Sequence, residues 1–65
     1  MIKILEKLGR NKDIMSILRE SGWGGSYARF AMQKLRGKLT ADVSLILWDY
    51  CQKHNIPVSI EDFKA

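Results

Sequence analysis

Little in this 65-residue chain can cross-link, chelate or span a bilayer. It has one cysteine, Cys51, one histidine, His54, and one proline, Pro57. A lone cysteine cannot close an internal disulfide, and that usage suits a reducing, cytoplasmic setting. Cys51 and His54 have the spacing Cys-x-x-His, but zinc takes four ligands, or three at a catalytic site, and no second cysteine or histidine exists. Cys51 reads instead as a small buried hydrophobe. No apolar run approaches the roughly 20 residues that cross a membrane. The opening Met-Ile-Lys-Ile-Leu-Glu-Lys-Leu is too short and too charged for a signal peptide. Asp13, Glu20 and Asp49 offer no paired carboxylates beside a convergent base. A serine partnered with the single histidine would need a pocket for which so small a chain has little room. The expectations are no enzyme, no cofactor, no metal, no membrane contact and no small-molecule substrate. There is also no repeat and no low-complexity linker.

What remains is a single small domain, 46% hydrophobic, which argues against disorder. A domain of this size buries only about 60% of the surface its unfolded chain exposes, so a partner or dimer contact would add to a thin core. The net charge of +4 is unevenly spread. Residues 1–38 hold nine Lys or Arg against three acids, or +6, and residues 39–65 hold two against four, or −2. One-sided positive charge is the footprint of a phosphate-binding surface, although small basic proteins are common.

Punctuation predicts four helices and a tail. The first covers about residues 2–8, with Ile4, Leu5 and Leu8 on one face and Gly9 as its stop. The second covers about 12–20, capped by Asn11, with Ile14, Ile17 and Leu18 as its stripe. Gly22 ends it, and Trp23-Gly24-Gly25 forms a turn. The three glycines before a helix lack the Lys-Ser/Thr and the preceding strand of a P-loop, so they read as turn formers. Trp23 reads as a plug over the core, with a partner-facing role as the alternative. Ser26 caps the third helix and Gly37 stops it. Thr40 caps the fourth, whose stripe is Val43, Ile46, Leu47, Tyr50 and Cys51. Leu45 and Trp48 make it apolar on a second side, which predicts a central position. Asn55 and Pro57 end it. Ser59-Ile-Glu-Asp62 has the form of a capping box and predicts a short fifth helix near 60–64. The fold expected is all-α, a compact orthogonal bundle of four to five short helices.

The stretch Ser26–Lys38 carries four basic residues and no acidic one. At about 100° per residue, Arg29, Gln33 and Arg36 fall together, with Ser26 at the edge. Tyr27, Ala31 and Leu35 lie opposite, flanked by Phe30 and Met32, and are expected to be buried. Arg can bond guanine in bidentate fashion and Gln adenine, so this face suits the major groove of DNA. A solvated basic face on an ordinary core helix fits the segment equally well.

Two helices joined by a glycine-containing turn, the second basic, form a helix-turn-helix signature. Leu35-Arg-Gly-Lys38, then a capped apolar helix, then Ile56-Pro-Val-Ser-Ile-Glu-Asp-Phe63 resembles the Cro/repressor family (lambda-repressor-like, XRE) of phage and bacterial regulators. The resemblance covers the whole chain in outline, and its specific part is roughly residues 35–63. It implies one helix-turn-helix DNA-binding domain over 1–65, a sequence-specific transcription regulator acting by operator occupancy. It also implies a weak homodimer that sets two third helices in successive major grooves of double-stranded DNA about 34 Å apart. Ser26, Tyr27, Arg29 and Gln33 would then meet base edges and nearby backbone. Gly25 would lie by a phosphate at the helix start, and Arg36 and Lys38 would face phosphates. The chain departs from the family at the turn. Leu18 stands where Ala is usual, and Gly22, Trp23, Gly24 and Gly25 make a longer connection, which leaves the crossing angle and contact register open. The alternative is a protein-binding module on the same fold, an antitoxin or a phage-encoded inhibitor of a host nucleic-acid-binding complex.

Overall fold

The computed structural model describes residues 2–64; Met1 and Ala65, the ends of the expected 1–65 domain, lie outside the described residues. The chain is all-α. Helices α1 (Lys3–Leu8), α2 (Asn11–Glu20), α3 (Tyr27–Arg36) and α4 (Ala41–Lys53) are followed by one 3-10 turn, Ile60–Phe63. Molecular extents are 28 × 24 × 20 Å. The only sheet-like pairing among the described residues is an isolated antiparallel bridge between Lys38 and Lys64, which ties the end of α3 to the tail.

One core fills the centre. Ile2, Ile4 and Leu5 enter it from α1 and its lead-in, and Ile14, Met15, Ile17 and Leu18 from α2. Val43, Leu47 and Cys51, spaced by four, enter from α4, and Phe30 alone from α3. Each such side chain contributes about 1.5–3 kcal/mol by leaving water, which is how so short a chain offsets its conformational entropy. Burial pushes the Cys51 thiol above its usual pKa, as befits a packing group.

The two ends of the chain are clasped. Lys7 Nζ lies 2.9 Å from the Pro57 carbonyl oxygen and 2.9 Å from the Asp62 carboxylate, to which the Ser59 N–H also donates at 2.9 Å. Asp62 is buried, so its charge has to be partnered, and Lys7 supplies the partner. The Lys7 hydrogen bond, then the Ser59 N–H, hold its carboxyl below the usual range. The expected capping box therefore forms, but it starts a 3-10 turn rather than an α-helix.

Several expectations shift. Asn11 is the first residue of α2, and Arg10 takes the N-cap position, its N–H donating to Asp13 at 3.2 Å. The Asn11 amide is drawn across to α3 instead. Thr40 occupies the N-cap of α4, but its side chain makes no capping bond; the hydroxyl goes to Asp42. The second apolar side of α4 faces outward, with Leu45 69% exposed and Trp48 at the surface, so the apolar faces of this helix are a core stripe and a surface patch.

Candidate nucleic-acid interface

The connection between α2 and α3 is shaped by Trp23. Its ring lies across Gly25, where a Cβ would sit 2.3 Å from the indole, so only glycine fits beneath it. Gly22 takes a positive φ of 85°, as a left-handed turn position requires. The Trp23 indole N–H donates to Asp42 at 3.0 Å, fastening the turn to the start of α4. Asp42 also accepts from the Thr40 hydroxyl and, at 2.9 Å, from the Val43 N–H. Those three donors, Thr40 first and Trp23 second, hold its carboxyl below the usual range. Trp23 is thus a half-buried plug, as the sequence suggested.

Ser26 starts α3 by accepting the Arg29 N–H at 3.3 Å, and Gly37 ends the helix in the left-handed conformation. Between them only Phe30 reaches the core. That single anchor sets the rotation of the helix. With Phe30 inward, Ala28, Met32 and Leu35 point outward, and Arg29 and Arg36 lie along one flank. Leu35 is 81% exposed, Tyr27 49% and Met32 46%, so the expected burial of Tyr27, Ala31 and Leu35 does not occur: two are exposed and Ala31 is half-buried. The reason is competition for space, since α1, α2 and α4 fill the core and leave room for one α3 side chain.

The same rotation turns other residues toward the body. Tyr27 Oη accepts from the Asn11 amide at 3.1 Å, and Lys34 Nζ donates to Asn11 Oδ1 at 2.7 Å. Gln33 Oε1 accepts the Thr40 N–H at 3.0 Å and lies 3.3 Å from the Thr40 hydroxyl. That hydroxyl has one proton, and the Asp42 carboxylate is the stronger acceptor, so Gln33 keeps the backbone bond. Gln33 consequently braces α3 against α4, where the sequence placed it as an adenine reader. The outward row is shifted by one residue from expectation, running through Ala28 and Met32 rather than Arg29 and Gln33.

Arg29, Arg36 and Lys38 remain exposed. Together with Ala28, Met32, Gln33 and Thr40, the two arginines line an open hollow of about 420 Å³ along the helix. Ala28, Met32 and Thr40 escaped the sequence reading, because hydropathy grouped Met32 with Phe30; taking Phe30 as the sole inward residue would have found Ala28 and Met32. Gly25 and Ser26 stand at the helix start, the first beneath Trp23 and the second engaged as cap.

Charge separates this surface from the rest. No Asp or Glu occurs between Glu20 and Asp42. The ion pairs among the described residues are Lys7–Asp62, Lys53–Asp49 and Lys64–Glu61, all outside α3. Arg29, Lys34, Arg36 and Lys38 therefore have no carboxylate partner among the described residues. No described helix is long and apolar enough to cross a membrane. The chain matches no family model, no curated protein and no solved structure.

Proposed function

We propose that this protein binds double-stranded DNA through α3 and acts in the cytoplasm as a small sequence-specific transcription regulator of Cro/repressor type. The observation that carries the reading is the pairing of geometry with charge. An exposed helix, held by one core residue, bears cations that no carboxylate among the described residues neutralises. Unneutralised Arg and Lys on one surface gain most from phosphates, because each contact releases a condensed counterion.

In the major groove, Ala28, Met32 and Leu35 would meet thymine methyl groups, and Arg29 and Arg36 would reach guanine edges or the flanking backbone. Lys38 and the start of α3 at Gly25 and Ser26 would face phosphates. Gln33 and Tyr27 hold the helix at its angle. Occupancy of an operator by a weak homodimer is then the regulatory act, two α3 helices lying in grooves about 34 Å apart.

A second reading has its own support. Tyr27, Met32 and Leu35 expose apolar surface on one helix, the pattern of a helix that docks in a protein groove. Parallel titrations of Arg36→Ala and Leu35→Ala separate the two. For DNA, Arg36→Ala loses about 1–3 kcal/mol on the preferred site and relaxes one base position. Weak, salt-controlled binding to all duplexes alike, unchanged by sequence, would turn the assignment to the protein partner.

A further inference from the structure

The tail brings a cation to α3 that charge counting along the chain does not show. Lys38 follows the last turn of α3, and the isolated antiparallel bridge sets it opposite Lys64. Residues opposite one another in an antiparallel pair point to the same face, with Cβ atoms about 4.5–5.5 Å apart, and like charges so placed oppose folding. Both lysines are exposed. Lys64 belongs to the half of the chain that is acidic in sum, so only the fold adds it to the basic surface. We propose that Lys38 and Lys64 together hold one phosphate of the DNA backbone at the C-terminal end of α3. The inference rests on the reading of α3 as a duplex-binding helix and extends it to the tail.

A cation near a helix C-terminus meets the negative end of the dipole, which accounts for Lys38 but not for a second lysine placed opposite it. The carbonyls at that end are also met already, since the Gly37 N–H donates to Lys34 and the Lys38 N–H to Gln33, each at 3.1 Å. Neither ammonium group is firmly taken. Lys38 has no carboxylate partner among the described residues. Lys64 has Glu61 at 3.6 Å, with both side chains largely in water, and such a pair contributes little. A phosphate between the two lysines neutralises both and accepts charge-assisted hydrogen bonds from each. Lys64 also sits on an anchored segment. Lys7 binds Asp62 at 2.9 Å, and Phe63 packs on Trp48 with ring centroids 5.8 Å apart. The pair is therefore placed before the anion arrives, which lowers the cost of binding it. A repulsion kept in the free chain and relieved by a ligand is the kind of local conflict that functional sites retain. Arg29 and Arg36 are the exposed arginines of α3, and Lys38 and Lys64 continue their cationic surface past its end, so the phosphate belongs to the duplex that α3 meets.

The test is a double-mutant cycle of Lys38→Gln and Lys64→Gln in the full chain, read by urea unfolding and by titration of duplex DNA at several salt concentrations. Circular dichroism checks that each variant folds. Without DNA, Lys38→Gln leaves the Glu61–Lys64 pair intact and removes the repulsion, so the urea midpoint is expected to rise. With DNA the sign reverses. Each single change is expected to weaken every duplex alike, by about five- to tenfold at about 0.1 M salt, and to flatten the slope of log affinity against log salt by up to about 0.9 per chain. Because one phosphate is shared, the double variant should lose little more than either single one. Millimolar inorganic phosphate should leave the Lys38 and Lys64 amide resonances in place, while duplex shifts both. Saturable binding of inorganic phosphate that depends on Lys64, with duplex affinity unchanged in Lys64→Gln, overturns the duplex as the source. Additive losses in the double variant overturn the shared site. A Lys64→Gln chain that binds duplex with wild-type affinity and salt slope overturns the part of the tail and leaves the reading of α3 standing; a wild type that binds no duplex overturns both.

Discussion

Helices α2 and α3 are each ten residues long, yet α2 sinks four side chains into the core and α3 sinks one. What differs is the means of attachment. Ile14, Met15, Ile17 and Leu18 hold α2 by area removed from water, a force with no direction. Phe30 holds α3 by area too, but Asn11 and Thr40 fix its orientation by hydrogen bonds at its two ends. A helix attached in this way leaves most of its surface free for a partner while keeping a defined angle. The comparison also separates charge: Asp13, Asp42, Asp49, Glu61 and Asp62 are paired or hydrogen-bonded, and α3 has no acid.

The strongest way to break the comparison is to remove the one anchor. Phe30→Ala should cost about 3–5 kcal/mol. A chain of this length has a total stability of only about 3–10 kcal/mol, so unfolding in urea is expected at or near room temperature. A variant that keeps its melting transition would show that α3 is held by its polar ties instead.

Next in size is the effect of the free cations on binding. Arg29→Ala should weaken the preferred duplex by about 1–3 kcal/mol and leave the urea midpoint unchanged, because the side chain is exposed and unpaired. Loss of stability without loss of affinity would place Arg29 among the fold's supports.

Smaller still is the cost of one tie. Asn11→Ala removes the bonds to Tyr27 and Lys34 and should cost about 0.5–1.5 kcal/mol. Amide exchange should quicken in α3 more than in α4. Uniform quickening would mean that the helices open as one unit.

The smallest effect appears in acid. Asp42 and Asp62 both have folded-state pKa values below the ordinary one. A carboxyl so depressed adds stability above its unfolded pKa and loses it as pH falls through the folded value. Stability is therefore expected to hold from neutrality to about pH 5 and to decline below about pH 4. Asp62→Asn should shallow that decline, since Lys7 then lacks its charged partner at every pH. An unchanged acid limb would show that neither carboxylate governs it.

The helices were legible in the sequence because their signals are local. Gly9, Gly22, Ser26, Gly37 and the Ser59–Asp62 box each mark a boundary in the structure. The stripe Val43, Leu47 and Cys51 was legible for the same reason, a spacing of four on one helix. The rotation of α3 was not. Its sequence has apolar residues on several sides, and only the filling of the core by three other helices decides that Phe30 goes in and Leu35 stays out. The outward turn of Leu45 and Trp48 has the same origin. The tie of Gln33 to Thr40 was not legible either, because the turn at Gly37 brings the two together, a contact no helical spacing shows. The charge asymmetry was fully legible, and the structure adds that Asp49, Glu61 and Asp62 pair with lysines outside α3.

The central claim is that the unpaired cationic face of α3 reads DNA. The most direct measurement is selection from a random duplex pool at fixed salt, repeated with Arg29→Ala and Arg36→Ala. The account predicts an enriched, roughly two-fold symmetric site with half-sites about one helical turn apart, and a base position relaxed in at least one of the variants. A pool that stays random, with affinity set by salt alone, would contradict it.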